Sequence, residues 1–288
     1  MDGPYGSVDK ILDDDYERSE LQSLIDVKSD CNYCGSWVPH LALELGIPLK
    51  SVTNYAMGSQ GNQMIARNIV HGVEELLAKN ISTKDILVGV AWSGISRGSA
   101  YSSNVGQKYF EEDSNKAGWM HNPVQFLEES DRRIGWKIFN HHWAGMRPVE
   151  DRYEPLHEDS ASYYNVFNEI STFAIETAER IHWVQEYLNG KGIDYFFTNM
   201  SERASIFGSD VEKISDNHVK KTIDLIDRSK FCEWLGIAEW QAYYMNTYVG
   251  PTGAFDSMVE DHPSTYSSYC YVKDQILPYL EKNYLTHL

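Results

Sequence analysis

One stretch of the sequence, residues 85–92, is apolar at nearly every position and reads Asp-Ile-Leu-Val-Gly-Val-Ala-Trp. A strand with one solvent-facing side would alternate apolar and polar residues, so an unbroken apolar run is typical of a parallel strand covered on both faces. Residues 194–199, Asp-Tyr-Phe-Phe-Thr-Asn, indicate a further buried strand. Because such strands need helices packed against their sheet, the sequence predicts an α/β fold.

Helical patterns occur before, between and after these strands. The sequence predicts helices over residues 38–46, 63–79, 162–190, 216–228 and 272–280, and in the best patterned of them apolar residues recur every three to four positions. Gly46 and Asn80 fit the ends of the first two helices. Residues 47–55 are predicted to form a short strand, which gives the strand, turn, helix, strand order of a doubly wound parallel sheet.

The length of 288 residues fits one large domain, because no long stretch rich in Pro, Gly or Ser divides the chain. Residues 1–36 are acidic and poorly patterned, and we expect them to form a surface arm. Residues 37–288 are predicted to form a single α/β domain. Within it, residues 94–160 have the character of a long insertion after a core strand, a kind of segment that builds a lid or a binding surface.

The charge balance excludes two classes of partner. The chain has 25 Lys and Arg against 42 Asp and Glu, so its formal net charge is −17 at pH 7. A field of this sign repels phosphate backbones and anionic lipid surfaces, and we expect no nucleic-acid or membrane partner. The apolar stretches are far shorter than the roughly 20 residues that cross a bilayer, and the acidic N-terminus does not resemble a signal peptide. The expected location is the cytoplasm.

Four cysteines are too few for a disulfide framework in a chain of this length, which favours a reducing compartment. Cys31 and Cys34 form a Cys-x-x-Cys pair that would need Cys232 and Cys270, or His40, to complete a zinc site. Buried or idle thiols are the alternative, and we expect no metal. The glycines of the chain do not have the spacing of a phosphate-binding loop, and no cofactor is expected.

The turn after the predicted strand 47–55 has the parts of an oxyanion site. Gly58 lets backbone N–H groups approach a substrate closely, and the positive end of the following helix points to the same place. Ser59 lies beside this glycine, and Asn62 offers a side-chain donor. A plain strand-to-helix turn with an Asn or Ser cap explains the same residues equally simply.

Two further places carry candidate site residues. Ser93 and Arg97 follow the strand 85–92, at the carboxyl edge where parallel sheets bind ligands. Arg97 is able to hold a carboxylate or to pair with a neighbouring acid. Near the C-terminal end, His262 beside Asp261 has the parts of a general base, an imidazole that titrates near neutral pH and a carboxylate to orient it. A helix start capped by Ser264 is the alternative for that segment.

Four short motifs occur in order along the chain. They are Leu-Ala-x-x-Leu-Gly at 41–46, Asn-x-Ala-x-Gly-Ser-x-Gly-Asn at 54–62, Asp-Ile-Leu-Val-x-x-x-Trp-Ser at 85–93, and Asp-His-Pro-Ser at 261–264. This ordered set resembles the SGNH/GDSL hydrolase superfamily, particularly its divergent forms encoded by tailed phages. The similarity spans about residues 37–100 and 250–285.

The resemblance implies a three-layer α/β/α, flavodoxin-like fold and the hydrolysis of an ester or acetyl ester. The implied substrate is a small-molecule or carbohydrate ester, and no cofactor is needed. Gly58 matches the oxyanion glycine of such enzymes, and His262 matches their catalytic base. Asn62 is a candidate oxyanion donor, although the usual Asn of the family follows the next strand, where this chain has Ser93 and Gly94.

The chain departs from the family pattern at the nucleophile. The family opens with a strand ending in Gly-Asp-Ser or Gly-Cys-Ser, whereas no buried strand is predicted before Leu41. Ser36 is the nearest match to the nucleophile, and Val259 stands where the family has its Asp, which leaves Asp261 to orient the base. Three hypotheses stay open. The first is an active serine esterase, and the second is a degenerate relative that serves as a virion or assembly scaffold, in contact with its own copies or with a virion partner. The third is an enzyme whose nucleophile lies upstream in the natural gene.

Overall fold

A computed structural model of the chain describes residues 37–55, 61–101, 136–139, 169–199, 205–232 and 271–284. The chain divides into two compact units, one formed by residues 55–231 and the other by residues 1–54 and 232–288. The single domain over residues 37–288 stays a prediction, and the predicted acidic arm lies outside the described residues. Each unit is described separately.

A parallel strand pair forms the centre of the unit 55–231. Strand β1, Leu87–Trp92, pairs with β4, Asp194–Asn199, in a continuous register from one end of each strand to the other. On the far side of β4, Phe197 makes a parallel bridge to Phe231. The prediction of parallel strands in a mixed α/β fold is confirmed, and the middle of β4 is buried on both faces. In β1, only Val90 and Trp92 are buried and Gly89 is exposed, so the coverage predicted for both faces of that strand is not observed.

The two faces of β4 explain its continuous apolar sequence. Tyr195 and Phe197 point to one face and belong to the main hydrophobic core. Phe196 and Thr198 point to the opposite face, and they are buried as well. A strand covered on both sides gains from apolar residues at every position, which is why alternation is missing from this part of the sequence.

Helices pack against the face of the sheet that carries Tyr195 and Phe197. Helix α2 spans Asn62–Ala78 and helix α3 spans Ile170–Lys191, and both contribute side chains to the same core as β1 and β4. Asn80 follows α2 with a φ of 61°, and Gly192 ends α3 with a φ of 66°. These left-handed residues close the helices as Asn and Gly commonly do. Across the described residues, no helix combines the length and apolarity that membrane crossing requires.

Short elements follow β4. Helix α4 covers Ser209–Glu212 and helix α5 covers Asn217–Ile223, and α5 packs on α3. The predicted helix 216–228 is therefore too long. The helix ends at Ile223, where Leu225 N donates to Thr222 O and Ile226 N donates to Ile223 O in tighter turns. Gln185 then pairs with the backbone of Asp227, since its Nε2 donates to Asp227 O at 2.9 Å and its Oε1 accepts from Asp227 N at 3.0 Å. Because Asp227 N is bound to this side chain, it is not available for an α-helical bond to Ile223 O.

The predicted insertion 94–160 contains a described antiparallel pair. Strand β2, Gly98–Tyr101, pairs with β3, Trp136–Phe139. The remainder of the insertion, from residue 102 to 135 and from 140 onward, lies outside the described residues. The described part of this segment thus adds a second, separate sheet to the unit.

The first described element of the other unit is helix α1, Trp37–Glu44, which confirms the helix predicted at 38–46. Gly46 has a φ of 67°, and Ile47 N donates to Ala42 O at 2.8 Å, which closes the helix in the expected way. The predicted strand 47–55 is wrong. Residues Leu49–Ser51 form a 3₁₀ turn in which Ser51 N donates to Pro48 O, because the fixed φ of proline favours a helical first turn.

The last described segment confirms the final predicted helix. Val272–Ile276 is a π-helical turn that continues directly into α6, Leu277–Asn283. Lys273 donates to the Glu44 carboxylate at 2.8 Å, which links this turn to α1 within the same unit.

Candidate functional site

The carboxyl ends of β1 and β4 lie side by side in the unit 55–231. Trp92 ends β1 and is the register partner of Asn199, which ends β4. Ser93 follows directly and is buried with 4% of its surface exposed. Ligands of open parallel sheets bind at this edge, beyond the carboxyl ends of the strands. The candidate site is therefore defined by Trp92, Ser93 and Asn199 together with Asn62, described next.

Asn62 joins three elements at this edge. It is the first residue of α2, it is 1% exposed, and its Oδ1 accepts from Ser93 N at 2.9 Å. Its Nδ2 donates to Ser93 O and to Thr177 Oγ1, both at 3.2 Å. The carboxamide thus both donates to and accepts from the backbone of Ser93, and its bond to Thr177 ties this pair to α3. We call this arrangement the Asn62 brace.

A contact next to the brace and another at the far end of the helices also hold α2 against α3. Gln63 Nε2 donates to Glu176 Oε2 at 3.0 Å, one residue beyond Asn62. At the other end, Lys191 Nζ and Tyr187 Oη both lie 2.8 Å from Glu74 Oε1. The hydrogen bonds from Lys191 and Tyr187 lower the pKa of the Glu74 carboxyl, while burial and the Glu74 charge raise the pKa of Tyr187. Helix α2 is consequently held against α3 near both of its ends.

Three polar atoms at the site are buried without a hydrogen-bond partner among the described residues. They are Trp92 Nε1, Ser93 Oγ and Asn199 Oδ1. The Trp92 ring itself is fixed, because it meets Phe197 edge to face with the ring centroids 5.3 Å apart. Buried polar atoms are nearly always bonded in folded proteins, so this cluster marks the edge as a place for a polar group.

The residues predicted from sequence have different outcomes. Asn62 and Ser93 are brought into direct contact, as described above. Arg97 lies four residues beyond Ser93, where its backbone N donates to Gly94 O at 3.1 Å and closes a turn. The remaining predicted site residues, Ser36, Gly58, Ser59, Asp261 and His262, lie outside the described residues, and their roles stay predictions.

The brace bears on the predicted role of Asn62 as an oxyanion donor. Both hydrogens of its Nδ2 are directed at acceptors, Ser93 O and Thr177 Oγ1. To donate to an oxyanion, this amide would have to release one of them. The observed contacts of Asn62 instead orient the backbone that follows β1.

Sequence reasoning missed two residues of this region. Thr177 lies on the buried face of α3, where a threonine among apolar residues attracts no notice. Asn199 was included in a predicted strand, but its polar end was not treated as a signal. Its place at the carboxyl end of a buried run, like that of Ser93, was the feature that could have identified it.

Comparison with protein-family models, curated proteins and solved structures found no match. The resemblance to SGNH/GDSL hydrolases therefore depends on the motifs in the sequence alone.

The Cys-x-x-Cys pair in the sequence raises the question of a metal-binding site. Among the residues that the structure describes, no group of three His, Cys, Asp or Glu side chains is arranged to hold a metal ion. Cys232 is buried, and burial raises the pKa of its thiol to about 12. The Cys-x-x-Cys pair at 31 and 34 lies outside the described residues.

A shallow groove lies elsewhere on the same unit, between α4 and α5. Its volume is about 220 Å³, and the Arg228 guanidinium lies 4.3 Å from the centre of the Phe207 ring beside it. The residues that line it are Ile206, Phe207, Val211, Glu212, Lys220, Ile223, Asp224 and Arg228. This groove contains none of the residues predicted to be functional.

Proposed function

We propose that this chain is an SGNH-like esterase with a three-layer α/β/α, flavodoxin-like fold, acting on a small-molecule or carbohydrate ester. The observation that carries the proposal is the Asn62 brace. It joins the start of α2, which follows Gly61, to Ser93, the first residue after the parallel strand β1. A helix N-terminus held at the carboxyl end of a strand in this way is able to offer the backbone N–H groups of its first turn to a developing negative charge.

In the proposed reaction, the Ser36 hydroxyl oxygen attacks the ester carbonyl carbon while His262 takes the hydroxyl proton. The tetrahedral oxyanion is stabilised by N–H donors, with Gly58 as the proposed backbone donor. Collapse expels the alcohol, which receives the proton from His262 and leaves an acyl-serine. Water then attacks the acyl group with His262 again as base, which releases the acid and restores Ser36. Asp261 is proposed to orient the imidazole.

Hydrolysis of p-nitrophenyl acetate tests this proposal. We expect turnover by the unaltered protein and a loss of at least a hundredfold in kcat in His262→Ala, because proton transfer contributes about 10² to 10⁴ in rate. His218→Ala is the matched control, since His218 is exposed on α5 and its backbone N donates to Asp216 Oδ1 at 2.6 Å, a bond that alanine retains. Turnover that is equal in the His262 variant and the unaltered protein would rule out catalysis at this site.

Ser36→Ala tests the nucleophile separately. A burst of nitrophenolate followed by slower turnover is expected from the unaltered protein if acylation precedes a slow deacylation. The burst should disappear in Ser36→Ala. Retention of the burst in that variant would assign the nucleophile to another residue.

A further inference from the structure

The carboxyl edge of β1 and β4 presents an unusual combination of polar atoms. Trp92 Nε1 is a donor only, Asn199 Oδ1 is an acceptor only, and the Ser93 hydroxyl is able to serve as either. Trp92 and Asn199 are register partners at the ends of neighbouring parallel strands, so their Cα atoms lie about 5 Å apart and their side chains leave the same face of the sheet.

Packing fixes the Trp92 ring, and the Asn62 brace fixes the backbone of Ser93. The Trp92 side chain is 1% exposed and sits in the main hydrophobic core, with Phe197 against its ring. The backbone N and O of Ser93 are both bonded to Asn62. Rotation of the Trp92 ring toward a protein partner would therefore disturb the core. Since an unpaired buried donor or acceptor costs more than an ordinary hydrogen bond contributes, a partner from outside the protein is favoured.

The chemistry of the partner follows from the donor and acceptor set. A carboxylate would be repelled by Asn199 Oδ1, and an ammonium group would be repelled by the Trp92 N–H. A neutral hydroxyl both accepts from an indole N–H and donates to a carboxamide oxygen. Because the three atoms are out of contact with solvent, the group that reaches them has to be small.

We infer that the carboxyl edge holds a subsite for one hydroxyl group, bound between Trp92 Nε1 and Asn199 Oδ1. The hydroxyl comes from an enclosed water molecule or from the alcohol part of a ligand. The second source rests on the proposed esterase function, in which the substrate carries an alcohol. Binding itself needs no turnover, so it can be tested even if the protein proves inactive on esters.

A double-mutant cycle tests whether one group connects the two side chains. The variants are Trp92→Phe, Asn199→Leu and their combination, measured by urea unfolding of the full chain. We expect the effect of Asn199→Leu on the unfolding equilibrium constant to be at least fivefold smaller in the Trp92→Phe background. The cavity left by the smaller ring is present in both Trp92→Phe and the double variant. Its contribution to stability therefore cancels when these two proteins are compared. If the effects of the two single substitutions on the unfolding equilibrium constant multiply to that of the double variant within twofold, the proposal is overturned.

Trp183→Phe provides the matched control, because Trp183 is 59% exposed on α3 and its N–H is available to solvent. Its combination with Asn199→Leu should show no coupling. Coupling as large as that of Trp92 would mean that the cycle reports a general effect of the tryptophan substitution, which would also overturn the proposal.

The source of the hydroxyl is distinguished by nuclear magnetic resonance of the indole N–H, assigned by its loss in Trp92→Phe. A saturable shift of this resonance on titration with glycerol identifies a ligand alcohol. A cross-peak to a long-lived water without a saturable shift identifies enclosed water, and either result supports the subsite. A resonance with neither property overturns it, whatever the outcome of the esterase assay.

Discussion

Replacing Asn62 by alanine removes every contact of the Asn62 brace at once. Two hydrogen bonds donated by Nδ2 and one accepted by Oδ1 are lost, all of them buried. Each contributes about 1 kcal/mol, and the Ser93 N–H that loses its acceptor adds about 1 to 3 kcal/mol more if no water replaces it. We therefore expect Asn62→Ala to lower the free energy of unfolding by about 4 to 6 kcal/mol.

Two other substitutions calibrate this value. Thr177→Val keeps the shape of the side chain and removes one acceptor of the brace, so a loss of about 1 kcal/mol is expected. Gln185→Ala removes a similar pairing with the backbone of Asp227, made by two hydrogen bonds, and should cost about 2 to 3 kcal/mol. The Gln185 variant is the matched control for function, because its pairing involves Asp227 rather than the residue that follows β1.

Urea unfolding followed by both tryptophan fluorescence and far-ultraviolet circular dichroism measures these losses. The expected order of destabilisation is Asn62→Ala, then Gln185→Ala, then Thr177→Val. If Thr177→Val costs as much as Asn62→Ala, the brace contributes nothing through Ser93 and the reasoning is refuted. In the esterase assay, Asn62→Ala should lose activity at urea concentrations where Gln185→Ala stays both folded and active.

Two further predictions concern packing and reactivity. A Cβ on Gly72 would lie 2.5 Å from Tyr55 Cε2, so Gly72→Ala should destabilise the protein by about 1 to 3 kcal/mol in urea unfolding. Gly190→Ala meets no atom within 4 Å and should stabilise α3 by about 0.5 to 1 kcal/mol, and equal signs for the two variants would contradict the geometry. Burial raises the pKa of Cys232 to about 12, so mass-spectrometric mapping at pH 8 should find it alkylated only in denaturant. This raised pKa stabilises the fold below the unfolded-state pKa of about 8.5, and the contribution is lost as pH rises above it. Equal labelling rates in native and unfolded protein would exclude this burial.

The parallel strands were predictable because their signal is local. The run at 85–92 and the run at 194–199 are apolar on both faces, and each contains an observed strand. The helix ends at Asn80 and Gly192 depend on residues that tolerate left-handed backbone, and Asn80 was identified in advance. The strand predicted at 47–55 failed because Pro48 starts a 3₁₀ turn, a local preference that outweighed the apolar pattern.

The candidate site was only partly predictable. Ser93 and Asn62 were identified from their places at the ends of a strand and a helix, but their direct contact joins residues 31 positions apart in the chain. Thr177 joins them from 115 positions away, and no local pattern marks it. Gln185 likewise reaches Asp227 from a different helix, in the part of the predicted helix 216–228 that is not helical in continuation of α5. Contacts of this kind depend on the tertiary arrangement and leave no periodic trace in the sequence.

The register between β1 and β4 has a consequence for synthesis of the chain. Leu87 pairs with Asp194, more than a hundred positions later. At about 5 to 20 residues per second, the ribosome needs about 5 to 20 s to deliver the second strand after the first. During this interval the apolar residues of β1 lack their partner strand β4, and pairings of such long range also form slowly. A nascent chain stalled before residue 194 should therefore be captured by chaperones that recognise apolar segments, and release should follow once β4 has emerged.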